Sequence, residues 1–431
     1  AKKLTLIPLM FMIYFEVSGG PYSEEPTVLA AGPLFAILGF FFFIILYCIP
    51  SALITAELST AYPGNGGFIV WADHAFGPFF GSLMGSWRYL SGIITMAAYP
   101  AQCIGYLINS FPIFSSGWPR YFAIFVFVMI SGILNYIGIA IVSYVVVGLA
   151  IIAVSPIITL WFASIPKLRP HRWISLGQKG VKKDWNLYIN TLLWNLNNWD
   201  AISTMAGEVE KPKKIIPLAL FVTVILVGLT YVVTIVAATG GVVLDQSEWQ
   251  AGFLAGAGGI IAGDWLKIWI QIGAIFSSLG LFGAQLSSCC YQLVGMSDLA
   301  LLPRVFSVRS KWFNTPWLSI LVSISIGLGL AYINYTSVVS SANFVTSLGM
   351  LLEFASFLWL RWKKPEKPRP YKLPLRLPAL VVMLLFPVGI LCFLLVTSSK
   401  VVYMISGVMT AAGIGFFLMM KLFRLRGWLG F

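Results

Sequence analysis

Charge is what this chain has least of. Only 10% of its 431 residues are Asp, Glu, Lys or Arg, and Asp and Glu together number 15. A soluble domain carries about a quarter charged residues, so a surface facing water on all sides is excluded. Histidine is scarcer still, with His74 and His171 alone. The five cysteines, Cys48, Cys103, Cys289, Cys290 and Cys392, fall in or near apolar runs. They read as reduced packing thiols, with no disulfide framework and no ligand set for a metal. No nucleophile–base pair or phosphate-binding glycine loop stands out, so neither a cofactor nor an enzyme activity is expected. The weak alternation of a β-barrel is missing as well.

What the chain does have is apolar residues in runs of about 20, the length that crosses a bilayer as a helix. Hydrophobic residues make up 59% of it. The fold class is therefore an all-α polytopic membrane protein, and the lipid bilayer is its first partner. The net charge of +13 points to loops beside anionic lipid rather than to nucleic acid. Twelve spans are expected, roughly 4–30, 33–60, 79–110, 120–140, 143–166, 187–209, 214–240, 264–292, 315–334, 337–362, 376–397 and 400–422. The first run is followed by further spans without a small-residue cleavage pattern, so no cleavable signal peptide is expected. Lys211, Lys213 and Lys214, then Arg304, Arg309 and Lys311, then the run from Arg361 to Arg376, all fall on one side of this topology. That side is cytoplasmic by the positive-inside tendency, which puts both termini in the cytoplasm. Residues 167–183, with six Lys and Arg, go against the trend and are outvoted.

Two spans are interrupted. The first contains Glu16-Val17-Ser18-Gly19-Gly20-Pro21 in its middle. Proline removes a ladder hydrogen bond and glycine loosens the backbone. Broken backbone at membrane depth survives only where it lines a cavity or is covered by protein. A carboxylate there costs roughly 2.5–3.5 kcal/mol or more and marks function by default. The sixth span carries Trp194-Asn195-Leu196-Asn197-Asn198-Trp199-Asp200, where Asn and Asp compete with the helix for backbone hydrogen bonds. The plainer reading of either is a kink. Yet the two breaks lie five spans apart and each holds an acid, the pattern of a five-plus-five inverted repeat with a midplane site. The chain then reads as one transmembrane unit: a first repeat over 1–166, a second over 187–362, and two added helices over 376–422.

The candidate site follows from the breaks. Glu16 and Asp200 should face one cavity, with Ser18, Gly19, Gly20 and Asn197 as its unwound backbone and Tyr22, Tyr99, Trp194 and Trp199 as aromatic walls. Carboxylates with aromatic faces suit a chain of methylenes bearing ammonium groups, and two carboxylates suit a diamine. An amino acid would instead use the freed amides of Ser18, Gly19 and Gly20 for its carboxylate. Glu16, Asp200 and Glu353 are the candidates for proton coupling. For Glu353 an ion pair with Arg361 or Lys363 is an equal reading, Glu57 reads as a turn or gate residue, Glu24 and Glu25 as a solvated face, and Arg88 as a snorkelling side chain. Residues 245–263 read as an external loop with room for a re-entrant lid, 363–378 as a basic linker, and Asn334-Tyr335-Thr336 as an unused sequon.

The same stretches carry a resemblance. Ala56-Glu57-Leu58-Ser59-Thr60-Ala61-Tyr62-Pro63-Gly64-Asn65-Gly66-Gly67-Phe68 resembles the turn after the second helix of the amino acid–polyamine–organocation superfamily. Both breaks, Ser310-Lys311-Trp312-Phe313-Asn314-Thr315-Pro316, Gly349-Met350-Leu351-Leu352-Glu353-Phe354-Ala355 and Arg369-Pro370-Tyr371 are similar to the plant polyamine uptake transporters, also called L-type amino acid transporter-like proteins. The resemblance covers essentially the whole chain. It implies a LeuT-type fold and proton-driven symport of putrescine, spermidine, spermine and paraquat-like dications by alternating access. A plasma-membrane address is expected, with Golgi or another endomembrane as the alternative, and the oligomeric state is left open. Two positions depart from the group: Ser51 and Gly283 stand where it usually places Glu. They keep an amino-acid or other organic-amine carrier as the alternative.

Overall fold

The computed structural model describes residues 3–108, 111–243, 245–332, 336–427 and 430. In chain order its helices are α1 Leu6–Val17, α2 Pro26–Ala31, α3 Pro33–Phe43, α4 Ile49–Ala61, α5 Phe68–Phe76, α6 Pro78–Ile108, α7 Gly117–Ile137 and α8 Ile139–Ser164. There follow α9 Trp185–Leu196, α10 Pro212–Gly241, α11 Phe253–Ala262, α12 Asp264–Asp298, α13 Trp317–Ala331, α14 Thr336–Lys363, α15 Leu377–Thr397 and α16 Lys400–Leu425. Among the described residues, nine helical stretches are long and apolar enough to cross a membrane, α3 and α4 counting as one. The sequon residues Asn334 and Tyr335 lie outside the described residues.

The helices interrupt where the local chemistry demands it. Between α3 and α4 the chain takes one wide π turn, Ile44–Cys48. Pro50 follows it, and the wider turn accommodates a residue that cannot donate and crowds the turn before it. After Val17 the chain leaves the helix, with Gly19 at φ 65° and Gly20 at φ 115°. These values favour glycine, and a Cβ on Gly19 would also sit 2.6 Å from Leu281. Pro21 then withholds its donor, and α2 begins at Pro26. After Leu196 the second break runs through Asn198 at φ 66°, a left-handed position that Asn tolerates. The chain resumes as tight 3-10 turns over Ala201–Glu208.

Around the breaks the long helices form the scaffold. α1 packs on α8, α10 and α12, while α6 runs against α12 on one side and α14 on the other. α15 and α16 flank α14 and present Val382, Leu385, Val408 and Leu418 outward, as lipid-facing helices do.

Two expectations are corrected here. Residues 245–263 are not simply a loop: Phe253–Ala262 is helical, and α11 packs on α8 and α12. Gln246 reaches across to donate to the Leu29 carbonyl at 2.8 Å. This segment therefore covers the start of α2, and Glu24 and Glu25 are buried, at 0% and 1% exposure, rather than solvated. Glu25 accepts from the amide of Leu254 at 2.8 Å, at the positive end of α11. Neither oxygen of Glu24 has a hydrogen-bond partner among the described residues.

Candidate functional site

The two breaks are stitched together. The Tyr231 hydroxyl, on α10, lies 2.9 Å from the Gly20 carbonyl and 3.1 Å from Oδ1 of Asn195. The Asn195 amide donates to the Ser23 carbonyl at 2.9 Å. Asn197 accepts from the Tyr47 hydroxyl at 3.0 Å. Between these segments and the facing sides of α6 and α12 lies a cavity.

Of the residues expected at the site, Glu16, Ser18, Tyr22, Tyr99, Trp194 and Asn197 line this cavity. Trp199 does not. It is fully buried, and its indole donates to the Leu196 carbonyl at 2.9 Å, so it braces the end of α9. Gly19 and Gly20 lie behind the wall, where the Gly19 carbonyl accepts from Ser277 at 2.5 Å. The amides of the break are engaged too. Those of Ser18 and Gly19 both donate to the Tyr14 carbonyl, at 2.9 and 3.0 Å, and that of Gly20 donates to the Ser18 hydroxyl at 3.2 Å. They terminate α1 rather than offering an anion site.

The acids are arranged unevenly. Glu16 is 2% exposed, and neither of its oxygens has a hydrogen-bond partner among the described residues. Ser288 shares the cavity wall, but its hydroxyl donates to the Ala201 carbonyl at 3.2 Å. Asp200 is also 2% exposed but sits behind Arg88, whose Nη2 is 2.6 Å from both carboxylate oxygens. Arg88 therefore does not snorkel: it is buried and forms part of the cavity wall. Its stem lies against Gly349 and its guanidinium carbon is 4.9 Å from the centre of the Phe68 ring. Glu353 is buried and close enough to Asp200 for their charges to interact. The expected pairing of Glu353 with Arg361 is not made, because Arg361 reaches Glu57 instead.

Arg88 had a legible signal. Arg88, Ser91, Thr95, Tyr99 and Gln102 all line the cavity at spacings of three and four, one face of a helix. Gln285, Ser288 and Gln292 do the same on α12. A polar stripe on a membrane helix marks an inward face.

The cavity is closed at one end and shares wall residues with a recess at the other. At the α1 end, Leu4 and Val209 form an isolated parallel bridge. Nearby, Glu208 holds both Arg309 and, at 3.2 Å, Asn65. Glu57, fully buried, pairs with Arg361 and with Arg369 at 3.1 Å and accepts the Leu373 amide at 2.8 Å. Glu57 thereby ties the 363–378 linker to α4. At the opposite end Gln102, Trp194 and Asn343 belong both to the cavity and to a recess that Asp184 and Asn190 also line. Ser51 and Gly283 do not line the cavity; Ser51 is buried, and a Cβ on Gly283 would meet nothing within 4 Å.

Comparison with known proteins gives the family. A family model described as amino acid permease matches residues 4–420. The polyamine transporter RMV1 of Arabidopsis thaliana is 41% identical over 430 residues, which cover 100% of this chain and 88% of that one. The polyamine transporter PUT1 of Oryza sativa subsp. japonica is 40% identical over 431 residues, covering 100% and 81%. An uncharacterized transporter of Legionella pneumophila, lpg1691, is 27% identical over 410 residues, covering 84% and 83%. A match of this extent, with broken helices around a buried polar cavity, means that the chain belongs to the amino acid permease family and is a membrane transporter, not an enzyme.

Proposed function

We propose that this protein is a proton-coupled polyamine symporter that works by alternating access. The observation that carries the reading is Glu16: a buried carboxylate in the cavity wall, at the end of a broken helix, with no hydrogen-bond partner among the described residues. A carboxylate so placed needs a cation or a proton. An ammonium supplies the first, and exchange of the two on one group couples substrate to the proton gradient. The backbone supports a cation as well. Both α1 and α9 end at the breaks, so their C-terminal partial negative charges are directed there. Tyr22, Tyr99 and Trp194 offer faces for methylenes and ammonium groups. The plant relatives are named polyamine transporters; putrescine, spermidine and spermine are the polyamines proposed as substrates here, and paraquat is a dication of similar reach. Glu353, buried near Asp200, is the second coupling group of this proposal.

The proposed architecture counts the broken helices as spans. α1 with α2, α9 with the 3-10 turns, and α13 bring the nine long stretches to twelve, in a LeuT-type five-plus-five arrangement over 1–166 and 187–362. Both termini then lie in the cytoplasm, and the closed end of the cavity, with its Glu57 and Glu208 ion pairs, is the cytoplasmic one. Opening to that side requires those pairs to part. A plasma-membrane location is proposed, with Golgi or another endomembrane as the alternative.

A carrier of amino acids or other organic amines is the second reading. Arg88 favours it, since a guanidinium in the wall can hold a carboxylate. Its engagement by Asp200 and the use of the break amides by α1 itself count against it. Uptake of labelled spermidine and of labelled leucine into proteoliposomes, with and without an inward-directed proton gradient, decides between them. Gradient-stimulated spermidine uptake is expected. Leucine uptake without competition from millimolar spermidine or putrescine would sink the polyamine reading.

A further inference from the structure

We propose that Arg88 is the specificity-determining residue of the cavity: a resident guanidinium that withholds Asp200 and confines an incoming amine to one ammonium contact, at Glu16. The proposal rests on the polyamine reading and deepens it. Arg88 stands in the cavity wall, whereas Asp200 lies behind it with both carboxylate oxygens 2.6 Å from Nη2. A substrate reaches Asp200 only by displacing that guanidinium. Displacement is opposed by its surroundings, with the Phe68 ring 4.9 Å from the guanidinium carbon and Gly349 against the stem. A substituted residue 349 would not leave that stem its room: its Cβ would come 2.9 Å from Cδ of Arg88.

The pair as a whole is neutral, but its positive end, Arg88, stands in the same wall as Glu16 while its carboxylate lies behind. Two like charges confined in a low-dielectric cavity repel strongly. Glu353 does not relieve this, because it is not part of the wall. One ammonium binds Glu16. The rest of the amine extends away from Arg88 toward Gln102, Trp194 and Asn343, where the cavity meets the recess at its other end. A short diamine gains little from its second charge, and widely spaced ammonium groups are tolerated best. This narrows the sequence expectation: two carboxylates are present, but one is open to substrate.

The test compares the full chain in proteoliposomes, as wild type and as the double variant Arg88→Gln, Asp200→Asn. The double variant removes both charges together and leaves two amides able to hydrogen-bond. Putrescine and butylamine, equal in carbon chain and different in charge, compete against labelled spermidine. The ratio of their inhibition constants is expected to move toward putrescine by about tenfold in the double variant. An unchanged ratio overturns the proposal and leaves Arg88 a structural partner. A shift toward butylamine also overturns it, since Asp200 would then be an ammonium ligand in its own right. If neither amine competes in the wild type while leucine does, the polyamine reading fails and takes the proposal with it. Where the double variant does not reconstitute, Arg88→Lys is read instead. It keeps the charge, so the ratio is expected to stay within about twofold, and a larger shift overturns the assignment.

Discussion

Arg88 and Asp200 form a buried ion pair across the centre of the bundle, joining α6 to the residue that opens the 3-10 turns after the second break. Removing one partner of such a pair leaves an uncompensated charge, at a cost of about 3–5 kcal/mol. Asp200→Asn alone is therefore expected to lower thermal stability clearly, and the double variant with Arg88→Gln to recover much of the loss. Unfolding followed by intrinsic fluorescence in detergent reads both. An Asp200→Asn protein as stable as wild type would show that the pair contributes little.

Glu16 carries the opposite expectation. Its carboxyl group has no hydrogen-bond partner among the described residues, so Glu16→Gln replaces it without orphaning a partner charge. The melting temperature is expected to hold or rise, while spermidine uptake falls at least about tenfold. Retained uptake in a stable Glu16→Gln protein would remove Glu16 from the site.

Gly280 and Gly283 stand on the same helix less than one turn apart and differ completely in surroundings. A Cβ on Gly280 would come 2.3 Å from the Phe15 ring, whereas one on Gly283 meets nothing within 4 Å. Gly280→Ala is expected to destabilise by about 1–3 kcal/mol through overpacking. Gly283→Ala is expected to stabilise by up to about 1 kcal/mol, because Ala is the better helix former. Denaturation of the pair in parallel checks the contrast, and equal effects would contradict it.

Glu57 joins α4 to Arg361 and Arg369 at the two ends of a short basic segment. Glu57→Gln leaves two guanidinium groups without their carboxylate. It is expected to lower stability by about 3–5 kcal/mol and to expose the 363–378 linker to protease. A linker as resistant as in wild type would mean that other contacts hold it.

His74, on the short α5 outside the long spans, stacks on Tyr62 at 4.9 Å. Burial pushes its imidazole below the ordinary value, the Lys364 and Lys367 charges add to this, and Asp73 opposes it. As the pH falls, the unfolded state takes up this proton first. Stability from neutral His74 is thus present above about pH 6.5 and declines as the pH drops through the ordinary imidazole range. His74→Gln is expected to flatten that part of the stability profile, and melting curves between about pH 7.5 and 5.5 would show it. An identical slope in both proteins would assign it to other groups.

The sequence by itself determined the fold class and the positions of the two helix breaks. Runs of about 20 apolar residues have no stable home but a bilayer. Gly-Gly-Pro beside Glu16 and Asn-Asn-Trp-Asp at 197–200 cannot continue a helix, because their backbone preferences are local and act before any packing. Local chemistry did not reveal which groups face which. Glu24 and Glu25 looked solvated until residues 245–263 folded back over them, and Trp199 looked like a site aromatic until it turned beneath α9. Arg88 and Asp200 are separated by 112 positions, and only the packing of α6 against the second break brings them together. Spacing along the chain fixes which residues share a helix face. Tertiary structure alone decides which charge meets which: Asp200 is engaged by Arg88, and Glu16 is left without a hydrogen-bond partner among the described residues.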